Sequence, residues 1–356
     1  MKNSTNIKEQ DPKTSGALAP FASSSFLVLW VATVLSNIGT WMHDVGAGWL
    51  MTSLSPSPLY VALVQTATTL PIFLFALPAG ALADILDKRK LLAIVQVIMA
   101  ITALALGYTV FRGEISPVLL LVLTFVMGIG AAISAPAWQS IVPGLVPKNL
   151  LQQAVALNSV GINLSRAIGP AIVGAIISYS ISLPFFVNSF SFLLVVCALV
   201  WWSPSRSAPR TLPVENLFGA LKAGVRYAMN SRPLKATLVR ATSFFLFASA
   251  YWALLPLVAK DLLKGDANLY GLMMGAVGLG AVSSAFVLPE IKKRVGANLL
   301  VTIGSLGTAL SMVALAGAYS HALAIASCFL AGVFWLAVLT SLTLSAQVGL
   351  PELVSA

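Results

Sequence analysis

The stretch Gly80-Ala81-Leu82-Ala83-Asp84-Ile85-Leu86-Asp87-Lys88-Arg89-Lys90 is a short charged corner between two long apolar runs. One run extends from Leu59 to Ala83, and the next begins at Leu91. No water-soluble fold requires so brief a hinge between two membrane-length segments. In a bilayer protein, a compact Lys/Arg cluster between spans marks the cytoplasmic side. Composition agrees: of 356 residues, 58% are hydrophobic and 9% charged, with a mean hydropathy of +0.92. Soluble domains carry about 25% charged residues, so this set cannot cover a water-facing surface.

Working outward from that corner, ten segments approach the ~20 apolar residues of a membrane span. They lie near 26–53, 59–84, 91–111, 116–139, 156–180, 182–202, 234–259, 268–289, 298–319 and 322–346. A polar tail over 1–25 precedes them; it is expected to be disordered and has no apolar core of a signal peptide. With the tail inside, inner loops hold most of the bases, from Lys88, Arg89 and Lys90 to Lys292, Lys293 and Arg294. Outer loops hold Arg112, Lys260 and Lys264 beside Glu114, Asp261 and Asp266. The bias predicts a cytoplasmic amino terminus. The net charge of +10 invites a nucleic-acid reading, but the bases sit in short clusters and form no continuous groove. Their placement fits contact with membrane lipid. Cys197 and Cys328 fall within spans and read as packing residues.

The long polar segment 204–233 divides the chain into a six-helix bundle, 26–203, and a four-helix bundle, 234–356. Within it, Leu217, Leu221 and Val225 with Lys222 and Arg226 predict a basic amphipathic helix over 214–230, lying on the inner membrane surface. The two bundles resemble each other. Leu59-Tyr60 matches Leu269-Tyr270, Leu77-Pro78 matches Leu288-Pro289, and Gly128 and Pro147 match Gly332 and Pro351 at one offset. The matches support parallel pseudo-repeats of six helices. A full second repeat predicts two more helices after Pro351, so the expected architecture is all-α and polytopic, six helices plus four of six.

Three stretches carry a family resemblance: the 80–90 corner, Ser36-Asn37-Ile38-Gly39-Thr40-Trp41-Met42 in span 1, and Asn158 with Arg166-Ala167-Ile168-Gly169-Pro170-Ala171 in span 5. Together, in order, they resemble the enterobactin-exporter-like branch of the major facilitator superfamily, the transmembrane secretion effectors. The resemblance runs from about Phe26 to the end of the chain; the corner departs from it at Ile85, where relatives often carry a base, and at Asp87, where many have Gly. It implies export of small molecules, siderophores and drugs among them, usually driven by proton entry, through a cavity lined by helices 1, 4, 7 and 10. It also implies a conformational motif at Gly80, Asp84, Lys88 and Arg89, with Asp84 capping helix 11, and another at Gly169 and Pro170. The expected function is a secondary active transporter of a bacterial inner membrane, exporting siderophore- or drug-like molecules by proton antiport and alternating access. The alternative is a truncated, non-transporting membrane protein that binds a ligand or partner.

Candidate substrate and proton positions follow from helical spacing. Asn37, Trp41, Asp44 and Gly48 share one face of span 1. An acid near a helix centre costs about 2.5–3.5 kcal/mol on insertion scales, so its retention asks for a reason: Asp44 reads as the best proton-carrier candidate or as the partner of a cationic substrate group, with His43 beside it. The plain alternative places Asp44 near the outer rim of a long span, simply hydrated. Arg166 shares a face with Ser159, Asn163 and Pro170; it reads either as a buried cation meeting an acid or anionic substrate, or as a snorkelling scaffold element. Arg240 opens span 7 and reads first as an interfacial anchor. Trp138 and Gln139, Tyr251 and Trp252, and Trp335 fit an apolar-substrate pocket as a set, although each alone also fits aromatic packing. The chain contains no phosphate-cradling Gly-x-x-x-x-Gly-Lys loop, and its two histidines do not build a usual metal centre. No enzyme activity, metal or cofactor is expected. Partners are the small-molecule substrate, protons and lipid, not nucleic acid; the oligomeric state stays open.

Overall fold

The computed structural model of the protein describes residues 16–202, 226–227 and 229–348. Among these, ten helices are long and apolar enough to cross a membrane. They are α1 (Ser24–Leu54), α2 (Pro58–Ile85), α3 (Lys88–Phe111), α4 (Pro117–Ile141), α5 (Leu151–Tyr179), α6 (Leu183–Trp201) and α7 (Arg232–Leu257), then α8 (Ala267–Leu288) and α9 (Asn298–Ala316), and α10 (His321–Val348). A π turn, Val258–Leu262, prolongs α7. The arms α8 and α9 belong to one helical stretch broken at Gly296, whose φ of 76° is open to glycine at little cost. Leu288 and Leu300 share one apolar cluster while Ala267 and Leu315 share another, so the two arms run antiparallel.

Local chemistry accounts for the helix starts. Ser23, Ser116, Asp87 and Asp266 cap α1, α4, α3 and α8 with side-chain oxygens. Proline occupies the first turn of α2, α4, α6 and α7, where its missing N–H has no helical partner to lose.

Three sequence expectations need correction or fall outside the described residues. The disorder expected over 1–25 does not hold at its described end: Ala19–Ala22 forms a 3-10 turn and α1 begins at Ser24. Phe21 holds this segment, its ring 5.0 Å from Trp30 and edge-on, while the Ser23 hydroxyl donates to Leu145 O at 2.7 Å. The bases Lys88, Arg89 and Lys90 do not form a loop; they are the first turn of α3, because Asp87 Oδ1 accepts from Lys90 N at 3.1 Å. The amphipathic helix over 214–230 falls almost wholly on 203–225, outside the described residues, as do 1–15 and the Asp84 side chain.

Arg89 has a task that its charge alone did not reveal. Its Nε donates to Leu199 O and its Nη2 to Val200 O, both at 2.6 Å, so one guanidinium caps the carboxyl end of α6. Two orphan carbonyls and the negative helix terminus meet a forked cation. Arg89→Ala is expected to cost about 1–2 kcal/mol, read as a lower melting temperature of the detergent-solubilised protein. Arg89→Lys should recover less than half of it, since an ammonium cannot span both carbonyls as a planar fork does.

The apolar cores show how the helices are grouped. At the end bearing Lys88–Lys90, here called the basic end, one cluster draws only on residues from Ala19 to Trp202, in α1 to α6 and the turns beside them. At the same end a separate small cluster joins Leu288, Leu300 and Ala337. At the far end a single cluster crosses between the groups, joining Met42 and Val45 of α1 and Val173 and Ile177 of α5 to Tyr251, Leu255, Tyr270 and Met273. The two groups of helices are packed together at the far end and have separate cores at the basic end.

Candidate functional site

Close contact at the far end is built from small residues. A Cβ on Gly271 would lie 2.7 Å from Pro170 O and 3.0 Å from Gly174 Cα; one on Gly278 would lie 2.9 Å from Ala167 Cα and from Arg166 O. Helices α5 and α8 therefore touch backbone to backbone, as helices do where side chains are absent. Pro170, lacking an N–H, leaves the Arg166 carbonyl without its usual helical donor. Gly278 brings the α8 backbone against that oxygen. Gly169 seats the third helix of the junction: a Cβ there would lie 2.6 Å from Trp41 Cβ and 3.0 Å from Ile38 O. The Gly169-Pro170 pair thus locks α1, α5 and α8 together.

Polar contacts finish this end. Lys260 Nζ donates to Thr52 O at 2.7 Å, capping the carboxyl end of α1 from the π turn after α7. Trp49 stacks on Tyr270 with ring centres 6.0 Å apart. Asn268 Nδ2 donates to Ser178 Oγ at 3.0 Å and to Asp266 Oδ2 at 3.1 Å, and Asp266 Oδ1 caps Leu269 N at 3.0 Å. The Leu269 N–H holds the Asp266 carboxyl below its ordinary value, with Asn268 adding to the effect. A depressed carboxyl contributes stability that is complete above its unfolded value, about 3.9, and is lost as pH falls through the folded one. Acidification below about pH 4 should therefore lower the melting temperature of the wild type more than that of Asp266→Asn, since the amide keeps an acceptor for Leu269 N and does not titrate.

Between the closed far end and the basic end lie most of the candidate residues. Trp41 carries the Arg166 guanidinium, with the Arg166 carbon 5.4 Å from the ring centre. Arg166 Nε is buried with no partner. Asn37, Trp41 and Asp44 are all partly buried on their shared face of α1. Among the described residues Asp44 forms no hydrogen bond or ion pair; one turn on, a Cβ on Gly48 would lie 3.2 Å from the Tyr270 hydroxyl. The midpoint of the 31-residue α1 is Gly39, five residues from Asp44. That separation is about 7.5 Å along the axis, about half the ~15 Å from mid-bilayer to the edge of the hydrocarbon. From α7 and α10 comes an aromatic cluster. Trp335 has Trp252, Phe244 and Phe245 around it at 5.4, 5.5 and 5.5 Å. Tyr251 lies 6.0 Å from Trp252 with its hydroxyl turned to the Cys328 thiol, and Trp252 Nε1 is buried without a partner.

Other predicted positions are elsewhere. His43 points into the core of the first six helices, its ring edge-on to Phe185 at 5.0 Å and both ring nitrogens unpartnered; the 100° step from Asp44 carries it off the shared face. Trp138 packs against the basic-end core, and Gln139 is exposed there. Arg240 donates to Asn298 Oδ1 at 2.8 Å and lines an open recess at the basic end with Thr237 and Ser345. Gly80 has open space where a Cβ would stand. Phe244, Phe245 and Tyr270 were not singled out from sequence, yet Phe245 precedes Trp252 by seven residues, two helical turns on one face. Among the described residues no cluster of His, Cys, Asp and Glu suits a metal ion.

The chain resembles proteins of known kind. It is 28% identical over 310 residues to the staphyloferrin A transporter of Staphylococcus aureus, covering 85% of this chain and 73% of that one. It is 24% identical over 295 residues to the enterobactin exporter EntS of Salmonella typhi, with 81% and 69% covered. With macrolide efflux protein A of Streptococcus pyogenes it shares 20% over 242 residues, with 67% and 60% covered. Among solved structures, a POT family transporter in complex with 5-aminolevulinic acid matches with a TM-score of 0.71 at 13% identity, over 94% of this chain and 85% of that one. A bacterial homologue of the lysosomal transporter Spinster, inward-facing and unoccupied, matches at 0.62 and 16%, over 92% and 75%. These identities carry the fold, that of major facilitator superfamily transporters. The match to the family described as transmembrane secretion effectors extends over residues 15–356, and this multi-pass membrane protein belongs to that family.

Proposed function

We propose that the protein is a secondary active exporter of small molecules, siderophore- or drug-like, that works by proton antiport and alternating access. The observation that carries the reading is the distribution of apolar cores: one core shared between the two groups of helices at the far end, separate cores at the basic end. That is the shape of a transporter closed on one side and open on the other. The Lys/Arg excess at the basic end supports reading that end as cytoplasmic, with the amino terminus inside and the opening toward the inner side of a bacterial inner membrane. The two groups then move as parallel pseudo-repeats about the region of Asp44, Arg166 and the Trp252–Trp335 cluster. The relatives named above support the cargo class, since their names cover two siderophores and a macrolide.

The test is an efflux and proton-flux assay in proteoliposomes loaded with staphyloferrin A, enterobactin or a macrolide, run on this chain and on a version extended to twelve helices. Efflux coupled to proton entry in either form is the expected result. Absence of both fluxes from both forms would sink export and leave a membrane protein that binds a ligand or partner.

A further inference from the structure

We infer that Arg166 is the binding point for an anionic group, a carboxylate or similar oxyanion, on the transported molecule. The inference rests on the reading of the space between the two groups of helices as the substrate path. A guanidinium at this depth has few ways to be satisfied. Its carbon lies 5.4 Å over the Trp41 ring, its Nε is buried, and among the described residues it has no hydrogen bond or ion pair. An unpaired buried cation costs more than one cation–π contact returns. The nearest acid in register, Asp44, sits one turn further along the same face of α1 and forms no ion pair with it.

The surroundings point to a ligand rather than to a structural pair. Gly169 and Gly278 let α1 and α8 close on the α5 backbone around Arg166, so Trp41 is pinned and holds the guanidinium plane in place. A planar cation so held offers two parallel N–H donors to a carboxylate. From α7 and α10, Trp252 and Trp335 with Phe244 and Phe245 supply an apolar face, and Trp252 Nε1 is a buried donor without a partner. A molecule with an acidic group at one end and an apolar or aromatic body fits this division of chemistry.

The test is equilibrium dialysis of the purified full chain against radiolabelled 2-naphthoate and its neutral isostere 2-naphthamide. Saturable binding of the acid, about tenfold or more tighter than the amide, is expected in the wild type. Arg166→Gln should bring the two ligands to equal affinity while melting at or above the wild-type temperature, since an unpaired cation has been removed. Arg166→Lys keeps the charge but not the planar fork, and should weaken the acid about tenfold with the amide unchanged. Should Arg166→Gln fail to fold, the lysine variant decides the matter: unchanged acid affinity there overturns the assignment. Equal binding of acid and amide by the wild type, no saturable acid binding, or acid preference surviving in Arg166→Gln would also overturn it. Binding needs no transport, so acid-selective binding without efflux removes the export reading alone, and efflux without acid-selective binding removes this site alone.

Discussion

Gly271→Leu is expected to open the far end and stop transport. The reason is steric and local. At Gly271 a Cβ already meets Pro170 O at 2.7 Å and the Gly174 backbone at 3.0 Å. These are main-chain atoms of a helix that cannot move aside as a side-chain tip can, and three further carbons must also be placed. Overpacking of a tight contact costs about 1–3 kcal/mol and can exceed it where backbone must shift. Because Gly271 lies in the contact between the two groups of helices, that cost falls on the closed arrangement and not on either group alone. A shift of about 3 kcal/mol changes the open population roughly 100-fold. Native Cys328 is the reporter, since its thiol is buried in the core shared across the far end. In a Cys197→Ser background, Gly271→Leu should raise the rate of Cys328 labelling by a membrane-impermeant maleimide by about two orders of magnitude. Retained protection of Cys328 together with retained efflux would refute the account of this seam. Gly80→Ala supplies the contrast. The family resemblance places Gly80 in a conformational motif, yet a Cβ there meets nothing. In this arrangement the substitution should change the melting temperature by less than about 0.5 kcal/mol equivalent. A transport defect in Gly80→Ala would then report a packing that Gly80 makes only in another arrangement.

Much of the fold was legible because the signals that define it are local. Span lengths follow from apolar runs, and starts from Ser, Asp and Pro at first-turn positions such as Ser116-Pro117 and Asp266. The errors at the edges are also local. Phe21 reads as part of a polar tail until its contact with Trp30 is known, and Lys88–Lys90 read as a loop until Asp87 is seen to cap them. The site was legible by face and not by partner. Spacing put Trp41 and Asp44 on one side of α1, but nothing in a linear pattern says that Arg166 of α5 lies over Trp41 or that His43 meets Phe185. Trp138 shows the limit. Its residue type and helix suited a cavity wall, and its neighbours in space proved to be the basic-end core. Gly271, Gly275 and Gly278 recur at helical spacing on α8 and mark a close-packed face, but which helix they meet is a tertiary fact.

Asp44→Asn is expected to uncouple transport from the proton while leaving the protein as stable or more so. With the middle of α1 set at mid-bilayer, the carboxyl lies about 7.5 Å from that plane, inside the hydrocarbon. It has no ion pair or hydrogen bond among the described residues, and one turn further along its face Gly48 meets the Tyr270 hydroxyl, 3.2 Å from where a Cβ would stand, across the interface between the two groups. A structural carboxylate at such depth would be paired, because a charge at a helix centre costs about 2.5–3.5 kcal/mol even on insertion scales. An unpaired one that can pick up a proton on one side and release it on the other gains nothing for folding. It has a use only if the two arrangements differ in how they expose it. Asparagine keeps the volume and cannot carry the proton. Proton flux driven by substrate should therefore fall at least about 100-fold, the order of effect that removal of a positioned acid or base produces. The melting temperature should stay level or rise, since a charge that costs free energy at this depth has been removed. A carboxylate merely hydrated at the outer rim predicts unchanged coupling, so the proton flux decides between the two. Measuring flux and melting on the same preparation separates the two, because loss of coupling through misfolding would lower the melting temperature and loss through the missing proton site would not.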